Sequence, residues 1–223
     1  VIAVKVDNSD QPNSRWYSGC GIYRHVWLTK TMKKAYIPQW GQYVSTTPQG
    51  DVKVKVDFLA QGSKMKLSFR NTIYDAKGKV VAKSQGNEVQ QLKVKNPQLW
   101  DIAKGYLYTV KSELVVNGKV VDTATTTTGF RDVKFDAQKG FFLNGRNIKI
   151  NGVCEHHDFG CLGAAVNEDA MHRKLTILRN MGVNAIRSSH NPPAPELLNM
   201  CDSMGLLVMD ESFDMWRRKK SNG

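Results

Sequence analysis

The second half of the chain alternates between strand-like and helix-like segments, and this alternation constrains the fold more than any other feature. Apolar runs recur near residues 150, 186 and 208, in "NIKINGV", "NAIRSS" and "LLVMDE". They predict strands near Ile148–Val153, Asn184–Ser188 and Leu206–Glu211, and the last run lacks alternation, as in a strand covered on both faces. Between the first two, Met171, Leu175, Leu178 and Met181 follow helical spacing and are predicted to face a core. A β-α-β-α-β order predicts a parallel sheet, either doubly wound or a (β/α)8 barrel.

The ends of the two helices carry recognisable signals. Asn167 is the predicted N-cap of the first helix, with acidic residues after it, and Gly182 ends that helix. The second helix is predicted from Pro195 to Met204, followed by Gly205. A doubly wound nucleotide fold favours Gly-x-Gly-x-x-Gly after its first strand, but the turn here is "NGVCEHHDFGCLG". We therefore favour the barrel.

The region from 37 to 136 has the pattern of an all-β domain. Short runs rich in Val, Thr and Tyr, such as "VKVKVDF" and "LYTVKSELVV", are separated by turn residues. Asn117-Gly118 is a strong hairpin signal, and Asp75 to Gly78 forms another turn. These features predict a two-sheet sandwich of immunoglobulin type. Residues 1–36 contain two further strand-like runs, "VIAVKV" and "YRHVWLT".

Composition excludes several classes of function. The formal charge is +12, but most of the excess lies on alternating strands, where Lys is the ordinary outward residue. The only compact basic run is Arg217 to Lys220, and no recognition helix accompanies it, so we predict no nucleic-acid binding. The chain contains no apolar run of about 18 residues, so no membrane-spanning helix is predicted. The first residues lack the basic region of a signal peptide. The four cysteines include no Cys-x-x-Cys pair, so no zinc knuckle is predicted, and buried free thiols are favoured over a disulfide between Cys154 and Cys161.

Polar side chains follow each predicted barrel strand. They are Glu155, His156, His157 and Asp158 after the first, Arg187, Ser188, Ser189, His190 and Asn191 after the second, and Asp210, Glu211, Asp214 and Trp216 after the third. In a barrel, active-site groups lie at the carboxyl ends of the strands. Two other interpretations remain open here. Arg187 could form a structural ion pair with Asp210 or Glu211, and the His and carboxylate groups could bind zinc or manganese.

These residues also carry a family resemblance. The stretch "GVNAIRSSHNPPAPELLNMCDSMGLLVMDE" resembles the first signature of glycoside hydrolase family 2. The matching positions are Asn184, Arg187, Ser188, Ser189, His190, Pro192, Asp202 and Gly205. Asn191 stands where the family usually has Tyr. "NGVCEHHD" is similar to the family's Gly-Val-Asn-x-His segment, with Cys154 in place of the Asn. "NSRWYSGCGIYRHVWL" resembles the end of the family's jelly-roll sugar-binding domain.

The resemblance implies a mainly β chain with three parts. Residues 1–36 would be the end of the jelly roll, 37–136 the immunoglobulin-like β-sandwich, and 137–223 the first β-α-β-α-β units of a (β/α)8 TIM barrel. The implied activity is that of a retaining exo-glycosidase acting on terminal β-galactosides. The implied substrate-binding residues are His156, His190, Arg187, Asp210, Glu211 and Trp216, with Arg187 orienting a carboxylate. The family's magnesium-binding Glu-x-His is replaced by "FDMW", so no metal or cofactor is predicted.

The catalytic carboxylates of the family are two Glu residues, the acid/base after the fourth barrel strand and the nucleophile near the seventh. Neither Asn87-Glu88 nor Asn167-Glu168 follows a fourth strand, so neither pair matches the acid/base. We therefore expect the chain to be a fragment that lacks both catalytic Glu residues and is inactive alone. The full-length parent protein would hydrolyse carbohydrate and could be a homo-oligomer. The alternatives are a β-glucuronidase or β-mannosidase of the same family, or a non-catalytic sandwich module that binds carbohydrate or protein.

Overall fold

The structure, a computed structural model, describes residues 1–7, 9, 21–62 and 65–212. The chain forms two compact units, one of residues 29–149 and one of residues 1–28 together with the chain from residue 150 onward. The domain boundaries predicted after residues 36 and 136 stay predictions. Neither helix in the described part of the chain has the length and apolar character needed to cross a membrane.

The first unit is built from antiparallel sheets. Its strands are β1 (Ala35–Tyr36), β2 (Gln42–Thr46), β3 (Asp51–Val56), β4 (Leu59–Ala60), β5 (Leu67–Tyr74), β6 (Val80–Gly86), β7 (Val89–Lys93), β8 (Tyr108–Val116) and β9 (Lys119–Thr128). One sheet has the order β2-β3-β7 and another the order β6-β5-β8-β9, while β1 pairs with β4. Three further strands, β10 (Val133–Asp136), β11 (Gly140–Leu143) and β12 (Arg146–Asn147), form their own sheet.

Alternating hydrophobicity explains how these strands pack. In β3, Val52, Val54 and Val56 are buried while the residues between them are exposed, because successive side chains point to opposite faces. They join Phe69, Ile73 and other apolar side chains of the second sheet in one core. Asn117 and Gly118 both have positive φ, as a two-residue hairpin turn requires, which confirms the predicted turn between β8 and β9.

The two strand-like runs predicted near the beginning of the chain are not strands. Residues 1–7 and 21–34 form none where the structure describes them, and Val4, Trp27 and Leu28 are exposed. A strand is stabilised by backbone hydrogen bonds to a neighbouring strand. The described residues provide no such neighbour here, so alternation alone does not produce a ladder.

The second unit contains the predicted β-α-β-α-β order. Its elements are β13 (Gly152–Glu155), a short 3-10 helix (Gly160–Leu162), α1 (Glu168–Asn180), β14 (Ala185–Ser188), α2 (Pro195–Met204) and β15 (Leu207–Met209). The three strands are parallel in the order β13-β14-β15. Parallel strands need crossover connections, and each helix supplies one. Together with the sandwich, this confirms the predicted fold class.

The helix boundaries follow the capping signals. Asn167 Oδ1 accepts a hydrogen bond from Ala170 N at 2.9 Å, which caps α1, and Gly182 follows its end with φ +91°. Gly205 ends α2 in the left-handed conformation. Between the helices and the sheet, Met171, Leu175, Ile186 and Cys201 form part of one buried cluster.

Three local predictions were wrong. Met181, predicted as core, is 72% exposed, because it is the C-terminal cap of α1 and lies beyond the last helical turn that faces the sheet. The first strand begins at Gly152, later than the predicted Ile148. The third strand was predicted to be covered on both faces, but Met209 at its end is 63% exposed and its other residues are only partly buried.

Candidate functional site

The parallel register brings the predicted polar residues to one edge of the sheet. Cys154 on β13 is paired with Arg187 on β14, which is paired in turn with Met209 on β15. Because alternate residues point to opposite faces, the neighbouring positions Ile186 and Val208 pack against the helices instead. Arg187 and Cys154 therefore project from the face that the helices do not cover, near the carboxyl ends of the strands.

Glu211 is the centre of the arrangement. Its Oε1 accepts a hydrogen bond from Arg187 Nε at 2.5 Å, and its Oε2 lies 2.9 Å from His190 Nδ1. Its backbone N donates to Ser188 Oγ at 2.8 Å. Burial of the carboxylate opposes ionisation, but the hydrogen bonds from His190 and Arg187 outweigh it and hold the pKa of Glu211 below its usual value. Glu211 is thus a carboxylate that fixes an imidazole and a guanidinium beside it.

The partner of Arg187, which the sequence left open between two carboxylates, is Glu211. Asp210 is exposed and accepts a weaker hydrogen bond from Ser188 Oγ at 3.3 Å. On its other side, Arg187 Nη1 donates to Cys154 Sγ at 3.4 Å. Arg187 is therefore held from two sides by groups on the neighbouring strands, which favours a positioning role for it.

The two histidines predicted to contact substrate lie next to each other. The rings of His156 and His190 are 5.6 Å apart between centroids and meet edge to face, at 81°. Both side chains are partly buried at the strand ends, where one imidazole is fixed by Glu211. The structure thus brings together His156, Arg187, His190 and Glu211, with Asp210 at the margin. Trp216, the remaining predicted residue, lies outside the described residues.

Other polar groups near this edge have structural partners. Glu155 forms an ion pair with Lys174 of α1, and Lys174 Nζ also donates to Asp158 O at 2.8 Å. Burial raises the pKa of Glu155, while Lys174 acts in the opposite direction. His157 stacks on Tyr23 with 5.9 Å between ring centroids, and burial, with help from the charge of Arg24, lowers the pKa of His157. These residues shape the edge without entering the Glu211 cluster.

The loop after β14 is held by a residue that sequence reasoning did not select as a site residue. Arg24 Nη2 donates to Pro192 O at 2.6 Å, and His25 Nδ1 lies 2.6 Å from Glu196 Oε1 at the start of α2. A cavity of about 40 Å³ beside this loop is lined by Tyr23, His156, Ser189 and other side chains that are mostly apolar. Arg24 lies in the "GIYR" part of the segment that resembles the end of the jelly roll, but that resemblance gave no contact partner for it.

No group of three or more His, Cys, Asp or Glu side chains suited to a metal ion occurs where the structure describes the chain. Residues of "HHD" and "DE" instead contact Lys174, Tyr23, Arg187 and Ser188. The described residues therefore give no support to the zinc or manganese alternative.

Comparisons with known proteins identify the family of the chain. A family model described as "Glycosyl hydrolases family 2" matches residues 35–131, and one described as "Glycosyl hydrolases family 2, TIM barrel domain" matches residues 133–216. The β-galactosidase BoGH2A of Bacteroides ovatus is 53% identical over 237 residues, which cover 99% of this chain and 28% of that protein. The β-glucuronidase of Sus scrofa is 30% identical over 228 residues, covering 95% of this chain and 34% of that protein.

Solved structures show the same relationship. A glycosyl hydrolase family 2 member from Bacteroides cellulosilyticus superposes with a TM-score of 0.88 and 37% identity, over 96% of this chain and 31% of that one. A β-glycosidase from Bacteroides vulgatus gives a TM-score of 0.87 and 32% identity, over 96% and 29%. The chain therefore spans about a third or less of the length of the relatives that it matches.

Proposed function

The chain belongs to glycoside hydrolase family 2, and we propose that it is part of a retaining exo-glycosidase that removes terminal β-galactosyl groups. The observation that carries this proposal is the cluster of His156, His190, Arg187 and Glu211 at the strand ends of the barrel unit. The 53% identity to a β-galactosidase across nearly the whole chain supports the choice of sugar. β-Glucuronide cleavage, β-mannoside cleavage and a purely binding role remain the alternatives.

In this proposal, the imidazoles bind the sugar. A carboxylate opposite Nδ1 of His190 favours the tautomer with the proton on that nitrogen, because Glu211 is ionised and can only accept. In that tautomer Nε2 is an acceptor suited to a sugar hydroxyl. Hydrogen bonds to sugar hydroxyls that strengthen as the oxocarbenium-like transition state forms contribute several kcal/mol in glycosidases. Glu211 and Arg187 keep the His190 ring in place for that contact.

The bond-breaking carboxylates would come from other parts of the parent protein. Retaining glycosidases use two carboxyl groups about 5–5.5 Å apart. Glu88 lies between β6 and β7 in the sandwich, and Glu168 opens α1, where Asn167 caps the helix. Neither is at the carboxyl end of a barrel strand. We therefore propose that this chain supplies substrate-side groups and that the acid/base and nucleophile are supplied elsewhere.

A β-galactoside suits the described site better than a β-glucuronide. A glucuronide carries a carboxylate, and its recognition calls for a cation that is not already neutralised. At this edge, Arg187 is paired with Glu211 and Lys174 with Glu155, while Arg24 donates to the backbone carbonyls of the loop after β14. A neutral sugar requires no free cation, so these contacts support the galactoside proposal.

The test uses the full-length parent protein and three nitrophenyl substrates, the β-galactoside, β-glucuronide and β-mannoside. We expect kcat/KM to be highest for the galactoside by about tenfold or more, which corresponds to about 1.4 kcal/mol of transition-state discrimination. His190→Ala should lower kcat/KM on that substrate about 100-fold, as loss of a transition-state hydrogen bond does. His172→Ala, which alters an exposed histidine of α1, is the matched control and should leave kcat/KM unchanged.

Preference for the glucuronide or mannoside would refute the choice of sugar. Equal effects of the two histidine substitutions would refute the placement of the site. The chain alone should show no turnover of the galactoside, and hydrolysis at ordinary enzyme rates would show that the missing carboxylates were wrongly assigned.

A further inference from the structure

Cys154 occupies an unusual position for a thiol. It lies on β13 in register with Arg187, and its side chain is exposed on the face of the sheet that the helices leave uncovered. Arg187 Nη1 lies 3.4 Å from its Sγ. A guanidinium beside a sulfur favours the thiolate, which is the nucleophilic form of cysteine.

A second group also points to this sulfur. Only 3% of the surface of Ser189 is accessible, and its Oγ has no hydrogen-bond partner among the described residues. The Ser189 side chain contributes most to lowering the pKa of the Cys154 thiol, followed by Arg187, while burial and the charge of Glu211 act in the opposite direction. A buried hydroxyl without a partner costs free energy, and a thiolate near it would be a better acceptor than a thiol.

The other described cysteines provide internal references. Cys201 is buried in the apolar cluster between the helices and the sheet, and burial raises its pKa to about 12. Cys161 is exposed in the short 3-10 helix, where no Arg or Ser side chain of the described chain donates to it. Exposure combined with the hydrogen bond from Arg187 therefore distinguishes Cys154 from both.

We propose that Cys154 is a thiol-modification site that reacts with low-molecular-weight disulfides and alkylating electrophiles in preference to the other described cysteines. With glutathione disulfide, the Cys154 thiolate attacks one sulfur, forming a new S–S bond. The S–S bond of glutathione disulfide breaks, and the second glutathione leaves as a thiolate that takes a proton from water. The product is a mixed disulfide that an added thiol reverses.

The same modification would change the neighbouring cluster. A group on Sγ occupies the space next to the Arg187 guanidinium and removes the thiolate that faces it. The inference stands on the chain's own thiols and goes beyond the glycosidase activity proposed above. Its failure would leave the substrate preference of the parent protein untouched.

The experiment measures the iodoacetamide alkylation rate of each cysteine in the intact chain by peptide mass spectrometry, at several pH values from about 6 to 10. We expect Cys154 to react about threefold or more faster than Cys161 at the acidic end, because its higher thiolate fraction is only partly offset by lower intrinsic nucleophilicity. The ratio should fall as the pH rises, because the advantage in thiolate fraction of Cys154 is then lost. Glutathione disulfide should add one glutathionyl group at Cys154 first.

Two matched serine variants identify the cause. Ser189→Ala removes the buried hydroxyl and should lower the Cys154 to Cys161 rate ratio, whereas Ser203→Ala removes an exposed hydroxyl at the end of α2 and should not. Circular dichroism spectra of both variants serve as the check that they fold. A Cys154 rate equal to or below that of Cys161 at acidic pH would overturn the proposal, as would equal ratios in the two variants.

Discussion

Replacement of Leu175 by Ala tests whether the strands and helices after residue 150 form a packed unit. Leu175 lies on α1, is 1% exposed, and belongs to the cluster with Met171, Ile186 and Cys201. Leu→Ala at a fully buried site loses the transfer free energy of the removed carbons and leaves a cavity, at a cost of about 2–5 kcal/mol. Because the site is surrounded on several sides by buried side chains that cannot collapse inward without strain, we expect about 3 kcal/mol.

The assay is amide hydrogen exchange, which reports the free energy of opening for each strand. In Leu175→Ala, the protection of β14 amides should fall by an amount equivalent to about 3 kcal/mol. Amides of β5 and β8 in the sandwich should keep their protection, since they belong to a different core cluster. Ile177→Ala, on the same helix but 44% exposed, is the control and should cost about 1 kcal/mol or less. Equal losses in the two variants would refute the packing.

Three further predictions follow from local contacts. Asn167→Ala removes the cap of α1 and should lower the opening free energy of that helix by about 1 kcal/mol, measured by exchange of its first-turn amides; no change would contradict the capping role. Ser112→Ala should destabilise the sandwich by about 1–3 kcal/mol in urea unfolding, because its buried hydroxyl bridges two amide side chains, whereas exposed Ser45→Ala should have little effect. The carboxyl carbon of Glu211 should titrate in NMR spectra with a midpoint below the usual 4.5. Its contribution to stability is therefore present above that value and lost as the pH falls through the folded midpoint, and a midpoint above 4.5 would contradict the ion pairs.

The sequence predicted the second unit well because its signals are local. Asn167 and Gly182 delimit α1, and Pro195 and Gly205 delimit α2, as the capping pattern indicated. Polar residues at consecutive strand ends were predicted to converge, and the parallel register brings them together. Local signals of this kind do not depend on distant parts of the chain.

Predictions that depend on contacts with residues distant in the sequence were less successful. The first 36 residues have strand-like alternation, yet the described part of that segment before Ala35 forms no strand, because pairing requires a neighbour. Met181 fits helical spacing but lies past the end of the face that α1 buries. Likewise, spacing could not decide between Asp210 and Glu211 as the partner of Arg187, since the choice depends on which carboxylate turns back toward β14.

In the sequence alone, Cys154 is only a departure from a family pattern. Its contact with Arg187 depends on the parallel register of β13 and β14, because the two residues are 33 positions apart in the sequence. Ser189 gave no sequence signal for its burial either. Contacts of this kind follow from strand pairing, which a pattern along one chain does not specify.

The central claim is that the strand ends of the barrel unit form a sugar-binding edge containing His156 and His190. The most direct test is a titration of the chain with galactose, followed by NMR of the imidazole nitrogens. We predict saturable shifts at His156 and His190, with no shift at His172 on the exposed face of α1. Unchanged signals at His156 and His190, or equal shifts at His172, would contradict the account.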